Sequence, residues 1–489
     1  MTQVHVTSGT LRGFADQDIF KFLGVPYAAP PVGTRRWQSP NPPEPWEGVR
    51  DATCFGAICP QVVGACFTHQ QTVQSEDCLY LNVWTPTCDA AAKQPVLVWI
   101  HGGGNLGGAG SEDMYDGTHL AKKGATVVTF NYRLGAFGFL AHPEIGANFG
   151  TQDQIAALEW VRANIAVFGG DPANVTIFGE SAGAVGVRTL MSCPKAHGLF
   201  HRAVLQSAGF ESPAIIPSLT YARAQKAAEA LFERLGAQTL SELQKIPVDI
   251  LKEASHALSG IPPPPGRIHT PASLVWMPVV DGVIIQDGFP GWKKDVPVLM
   301  GCVENEARYF LKPTFSFTEG TLEQLASLLY GSKAAEAGRI LESSELTLYD
   351  RLDRLFTCAI FAEPALQTAS KFAALGRHVY FYHFNRCSPR SLVTNLLATH
   401  TAEICYVFGN LVEGNEYGRV DIETSRLMQN AWLAFAHHGI PAFSDGAHWP
   451  VFNPSEPSVV CIDDDGFTVR PFPHAELVSL LSLARLAAD

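Results

Sequence analysis

Apolar residues come in short runs along this chain, and their spacing changes near residue 90. Up to that point strand-like pieces are broken by prolines, as in Tyr27 to Pro31 and Asn41 to Trp46, which predicts an antiparallel edge with long loops. Beyond it, runs rich in Val and Ile at Pro95 to Ile100, Ala125 to Phe130 and Val175 to Phe178 read as strands, with helical patterning over Gln154 to Phe168 between the last two. Val296 to Cys302 and Val379 to Phe384 resume the strand pattern. Strands alternating with helices predict an α/β fold with a mostly parallel central sheet flanked by helices. Helical stretches over residues 221–258 and 315–376 predict cap-like insertions at about 212–290 and 312–376, within a single domain spanning 1–489. Between them Ile261 to Gly266, IPPPPG, reads as a stiff extended surface connection. No internal repeat is present.

Chemistry concentrates at Phe168 to Gly183, FGGDPANVTIFGESAG. A short buried strand, a Gly-Glu-Ser-Ala-Gly turn and a helix start from Ala184 onward make the strand, turn and helix of a nucleophile elbow, the turn that exposes an attacking serine. Gly179 and Gly183 leave room where strand and helix meet, and Ser181 is pushed out into the site.

Composition removes several alternatives. Formal charge is −12, with no lysine or arginine cluster, so the electrostatics that hold a phosphate backbone are missing and nucleic acid is not expected as a partner. The opening MTQVHVTSGTLRGF has neither the basic start nor the apolar core of a secretion signal, and no apolar run approaches a membrane span, so a cytoplasmic protein without membrane contact is expected. Eleven cysteines are an odd number not spaced as paired zinc ligands, and most should be buried thiols. A monomer or small homo-oligomer is equally compatible with these features.

A serine hydroxyl is a weak nucleophile at neutral pH and needs a histidine to take its proton and an acid to orient that histidine. In this fold the chain order is serine, acid, histidine. Glu306, in GCVENEARYF, and His400, in ATHTAEICYVFG, both follow predicted strands, although 47 acidic residues and 16 histidines leave other choices open on spacing alone. His101-Gly102-Gly103-Gly104 directly follows a strand and suits an oxyanion hole, with the amides of Gly103, Gly104 and Ala182 as donors. Gly102 through Gly107 also fits Gly-x-Gly-x-x-Gly, the mark of a dinucleotide-binding dehydrogenase. That rival wants a helix opening at once and an acid ending the next strand, yet GAGSEDMYDG follows and the next strand ends at Asn131.

With these residues in place the chain resembles the type-B carboxylesterase family, which includes bacterial para-nitrobenzyl esterases, animal carboxylesterases, cholinesterases and some fungal lipases. Besides the serine turn it has EDCLYLNVWTP at Glu76 to Pro86, NYRLGAFGFL at Asn131 to Leu140, GVPYAAPPVGTRRWQSP near the start and AWLAFAHHGIP near the end. The resemblance runs nearly end to end and implies an α/β-hydrolase fold. It also implies a serine carboxylesterase that cleaves small to medium esters through an acyl-enzyme, with no metal or organic cofactor and a small-molecule ester as its partner. Ser181 falls on the nucleophile, Glu306 on the acid, His400 on the base, and Gly103, Gly104 and Ala182 on the oxyanion donors. Ion pairs between Arg36 and Glu76 and between Arg133 and Asp153 are implied as structural. Thioesterase or amidase action by the same triad is the nearer alternative. Non-catalytic adhesion relatives of the fold lack parts of the triad that this chain retains.

Departures from the family pattern bear on specificity. Asn105 and Leu106 stand where an aromatic residue usually continues the oxyanion loop, which predicts a more polar pocket wall, and Glu180 and Phe210 complete the expected wall. Ala307 replaces a usual glycine after the acid, leaving Glu304 as the fallback candidate. Gln206-Ser207-Ala208-Gly209 differs from the commoner Gln-Ser-Gly-Ser, so a second buried serine is expected to be missing. Cys59 and Cys78 bracket the region of a family disulfide that a reducing compartment does not favour. PQVVGACFTHQQTVQSED offers no tryptophan to a quaternary ammonium, which argues against choline esters.

Overall fold

The computed structural model describes residues 2–16, 18–62, 73–208, 220–260, 274–286, 296–312, 315–342, 345–414 and 416–486. Phe210, Gly209, Cys66 and the Ile261 to Gly266 connection lie outside them. The chain divides into two compact units, one drawn from Met1–Val204, Ser218–Pro262 and Ser273–Lys293, the other from Leu205–Pro217, Pro263–Ala272 and Lys294–Asp489.

The first unit is built on strands β1 (Thr2–Val6), β2 (Gly9–Asp16), β3 (Ile19–Pro26), β4 (Val49–Asp51), β5 (Tyr80–Thr85), β6 (Gln94–Ile100), β7 (Thr126–Phe130) and β8 (Gly170–Glu180). Its order is β1-β2-β3-β5-β7-β6-β8. Pairings from β1 through β5 to β7 are antiparallel, and those of β6 with β7 and β8 are parallel. The amino-terminal edge is therefore antiparallel, as its proline-broken pieces predict, except that β4 pairs with β2 in parallel. Strand patterning follows position in the sheet. β2 alternates between buried and less buried residues, with one face on the core, whereas PVLVWI in β6 is buried throughout because both faces are covered. The strand expected at Val175 to Phe178 starts earlier, at Gly170, and the helix expected at Gln154 to Phe168 is an α-helix over Phe149–Asn164 closed by a 3-10 turn, Ile165–Phe168. The helical stretch from residue 221 is three helices, Tyr221–Leu235, Leu240–Gln244 and Val248–Ala257, because Gly236 ends the first in a left-handed cap and Pro247 precedes the third.

Strand β9 (Arg202–Gln206) leads from the first unit into the second. There β10 (Val298–Val303) and β11 (Val379–Phe384) pair in parallel, β11 pairs with β12 (Ser458–Asp463) in parallel, and β12 turns back antiparallel into β13 (Gly466–Pro471). Both β10 and β11 are buried at every residue, while the solvent-side half of β13 is exposed, as suits an edge. Between β10 and β11 the chain is helical as expected, over Glu319–Tyr330, Ala334–Glu342, Leu348–Thr357 and Glu363–Ala374, with a single π-helical turn at Cys358–Ala362.

Both ion pairs implied by the resemblance are present in the first unit. Arg133 donates from Nε and Nη2 to the two oxygens of Asp153, each at 2.7 Å, and its Nη1 donates to the carbonyl of Gln38. The two side chains are 3% and 0% exposed. Arg36 binds Glu76 in the same two-pronged way and donates Nη1 to the carbonyls of Gln244 and Ile246, which ties the amino-terminal loop to the short helix Leu240–Gln244. Removing one partner of such a pair strands the other charge away from water. Asp153→Asn should therefore lower stability by about 3–5 kcal/mol in urea unfolding followed by tryptophan fluorescence. A loss within the ~0–1 kcal/mol of an exposed pair would contradict a structural role.

Candidate active site

At the carboxyl end of β8 the backbone turns sharply at Ser181, which has φ 54 and ψ −125, a conformation that a side chain rarely adopts. The helix Ala182–Leu190 starts directly after it, two residues before the expected Ala184. A Cβ added at Gly183 would lie 2.0 Å from the carbonyl of Ile100, and one at Gly179 would lie 2.6 Å from the backbone of Gly183. Packing of helix against strand at this turn is thus closed to any larger residue. Ser181 is half-buried at the amino terminus of that helix, the end whose backbone N–H groups favour negative charge.

The loop after β6 turns through Gly103 at φ 104, Gly104 at φ 62 and Asn105 at φ 58. His101 anchors it: the ring is fully buried, stacks on Tyr132 with centroids 4.5 Å apart, and its carbonyl accepts from the Tyr132 hydroxyl at 2.8 Å. Gly103 gives its carbonyl to the amides of Leu106 and Gly107, so its own N–H takes no part in these bonds. Asn105 is buried at 2% exposure, donates Nδ2 to the sulfur of Met277 and gives its carbonyl to Gly135. Leu106 and Glu180 are buried as well.

In the second unit Glu306 opens a 3-10 turn three residues beyond β10, and His400 lies beyond β11, on the loop between the short helices Pro389–Val393 and Ile404–Phe408. His400 Nδ1 is 2.5 Å from Glu306 Oε2, and Glu306 Oε1 accepts from the amide of Val303 at 3.0 Å. Both side chains are buried, at 0% and 2% exposure. The two loops are stitched together next to the pair. The Asn305 amide donates to the carbonyl of Ala398, the Ala398 amide returns a bond to Asn305 Oδ1, and Asn305 Nδ2 donates to Asp353, which also receives Arg308 Nε. Rings of Tyr309, Phe310 and Phe361 surround the imidazole, with centroids 5.7, 5.3 and 5.0 Å from it. Phe361 reaches it from the π-helical turn, a distortion that frequently re-aims a side chain toward a functional site.

Ala307 is fully buried and its amide donates to Thr357, so the turn accepts a methyl group where the family pattern has glycine. Glu304 is committed elsewhere. His474 Nε2 meets its Oε1 at 2.7 Å and His383 Nε2 meets its Oε2 at 3.1 Å. Those two histidines hold the Glu304 carboxyl well below the usual carboxylate range against the opposing effect of burial. Cys59 and Cys78 are buried free thiols, and the hydrogen bond that the Cys78 thiol donates to Cys59, together with burial, pushes the Cys78 thiol up. Among the described residues no group of three or more His, Cys, Asp or Glu is placed to hold a metal ion, and no helix is long and apolar enough to cross a membrane.

Sequence reasoning missed the histidines that occupy Glu304, and it missed Glu403, a buried carboxylate three residues past His400. An acid inside the apolar run AEICYVF was the available signal for the latter. For the former there was none, because His474 is 170 residues from Glu304.

A sequence model of the Carboxylesterase family matches residues 1–479. The para-nitrobenzyl esterase of Bacillus subtilis (strain 168) is 34% identical over 503 residues, covering 97% of this chain and 98% of its own. The fumonisin B1 esterase of Sphingopyxis macrogoltabida is 34% identical over 92% of this chain and 84% of its own. Among solved structures, the carboxylesterase of Geobacillus stearothermophilus superposes with a TM-score of 0.84 at 34% identity, over 98% of this chain and 100% of its own. A serine turn at the end of β8, an acid and a histidine after β10 and β11, and end-to-end similarity to esterases lead to one conclusion: the chain has the α/β-hydrolase fold and belongs to the carboxylesterase family.

Proposed function

We propose that the protein hydrolyses small to medium carboxylic esters by a double displacement through Ser181. The observation that carries this reading is the buried hydrogen bond between Glu306 Oε2 and His400 Nδ1, which engages Nδ1 with the acid and assigns the role of base to Nε2. His400 takes the proton of Ser181 as its hydroxyl attacks the ester carbonyl, then gives that proton to the departing alcohol. Water repeats the attack on the acyl-serine, with His400 again as base, and releases the acid. Glu306 holds the tautomer and stabilises the imidazolium that forms at each step. The amides of Gly103, Gly104 and Ala182 receive the oxyanion, a role supported by the left-handed turn at the two glycines and by the helix that starts at Ala182.

The same reading assigns the pocket wall beside the carbonyl to Asn105, Leu106 and Glu180, from their adjacency to the glycine loop and to Ser181. Two relatives act, by their names, on a para-nitrobenzyl ester and on fumonisin B1, which supports esters of bulky alcohols as well as simple ones. Buried free thiols at Cys59 and Cys78 support a reducing, cytoplasmic setting.

Turnover of para-nitrophenyl butyrate should fall by about ten-thousandfold or more in Ser181→Ala. A folded Ser181→Ala protein with near-normal turnover would remove Ser181 as nucleophile. Glu306→Gln should cost about four orders of magnitude in kcat by losing the tautomer lock, while Glu304→Gln should keep most of the turnover. Equal losses in the two variants would overturn the division of labour between these acids. Glu304→Gln should act on stability instead. The folded carboxyl titrates below its unfolded range, so its contribution is present at neutral pH and is lost as the pH falls through the acid range. The melting-temperature gap between wild type and Glu304→Gln should accordingly close on acidification, and a gap that widens would contradict the assignment.

A further inference from the structure

Three residues past His400 the chain buries a carboxylate that no step above uses. Glu403 is 0% exposed and sits at the entry to the helix Ile404–Phe408. Its two oxygens have unlike surroundings. Oε1 accepts from Gln206 Nε2 at 3.2 Å and from the Tyr382 hydroxyl at 3.4 Å, and Gln206 is itself fixed by Trp432 Nε1, which donates to its Oε1 at 3.2 Å. Among the described residues no donor reaches Oε2. An ionised carboxylate taken out of water needs donors at both oxygens, whereas a carboxylic acid can use one oxygen as acceptor and carry its proton on the other. Two donors on one oxygen and none on the second match the acid.

Burial and one charged neighbour favour the acid, against the hydrogen bonds from Gln206 and from the amide of Glu403 itself. Glu306, after β10, opposes a second negative charge, and His400, on the same loop as Glu403, is the group that favours one. Cys302 of β10, Cys405 of the following helix and Tyr382 of β11 are neutral neighbours that also feel its charge or bond to it.

We propose that Glu403 is a positioning residue that stores a proton on Oε2 beside the Glu306–His400 couple, so that Glu306, and not Glu403, draws positive charge onto the imidazole. This rests on the reading of Glu306 and His400 as acid and base. A proton shared among the three groups is unproductive when it resides on His400, because the imidazole must be neutral to accept the serine proton, and Glu403 keeps it elsewhere without neutralising Glu306. If Glu403 ionised, its charge would pull a proton onto His400 and reduce the fraction of usable base. Burial, and after it the charge of Glu306, push the Glu403 carboxyl up to about 7, so the stored proton is held below neutral pH and released above it.

Infrared spectroscopy of the folded enzyme tests the proton directly. Wild type at about pH 6 should show the band of a protonated carboxylic acid that is absent from Glu403→Gln and fades on titration through about pH 7. Glutamate labelled with heavy carbon should shift that band, which separates it from buried Asp353, and its loss in Glu403→Gln separates it from Glu363, whose carboxyl burial also pushes up. No such band between about pH 5 and pH 7 would overturn the proton site. In parallel, kcat/KM of Glu403→Gln for para-nitrophenyl acetate should obey one ionisation fewer than wild type, since the amide mimics the protonated acid and cannot titrate. A uniform loss at every pH with the wild-type profile intact would reduce Glu403 to a structural residue. Full turnover by Ser181→Ala would overturn the positioning role even with the band present, whereas a missing band with serine-dependent turnover would overturn the proton site alone.

Discussion

An imidazole sealed from water is held in one orientation and tautomer only by what bonds to it inside the protein, and the hydrogen bond between Glu306 and His400 is the hold on which the proposed role of His400 as base depends. At 0% and 2% exposure neither group has solvent to orient it, so the bond to Glu306 sets the tautomer of the imidazole. The surrounding structure serves to keep this bond straight. Val303 fixes the second oxygen of Glu306, Asn305 ties the acid loop to the histidine loop, and three aromatic rings confine the imidazole. Burial strengthens the bond by lowering the local dielectric and makes any misplacement costly for the same reason.

The same accounting recurs across both units. Arg36, Arg133 and Arg308 are each nearly excluded from water, and each is answered by a carboxylate and by backbone carbonyls. Glu304 is answered by two histidines, one of which, His474, adopts a left-handed backbone to reach it. Glu403 differs from these groups, with donors on one oxygen only, and it lies three residues from His400. Incomplete satisfaction of a buried acid is how proteins keep a proton at neutral pH.

What could be read from the chain follows from how local each determinant is. Ser181 was legible because the turn that exposes it needs glycine at 179 and 183 for contacts made within a few residues and with the neighbouring strand end. Glu306 and His400 were legible as residues after strands, but Glu304 and Glu306 stand two apart at one strand end, and what separates them is distant: His400 reaches one, His383 and His474 the other. The parallel pairing of β4 with β2 and the β12–β13 hairpin likewise depend on partners rather than on their own patterning, although Asp465-Gly466 does mark the hairpin turn. Splitting of the predicted helical region after residue 221 into three helices was written locally, in Gly236 and Pro247.

The most direct test of the account is to react the protein with a fluorophosphonate, a probe that bonds only to an activated serine, and to locate the adduct by peptide mass mapping, in wild type and in His400→Asn. One adduct per chain on Ser181, formed rapidly in wild type and slowly or not at all without the imidazole, is the predicted result. An adduct on another residue, or labelling of Ser181 at an unchanged rate in His400→Asn, would contradict it.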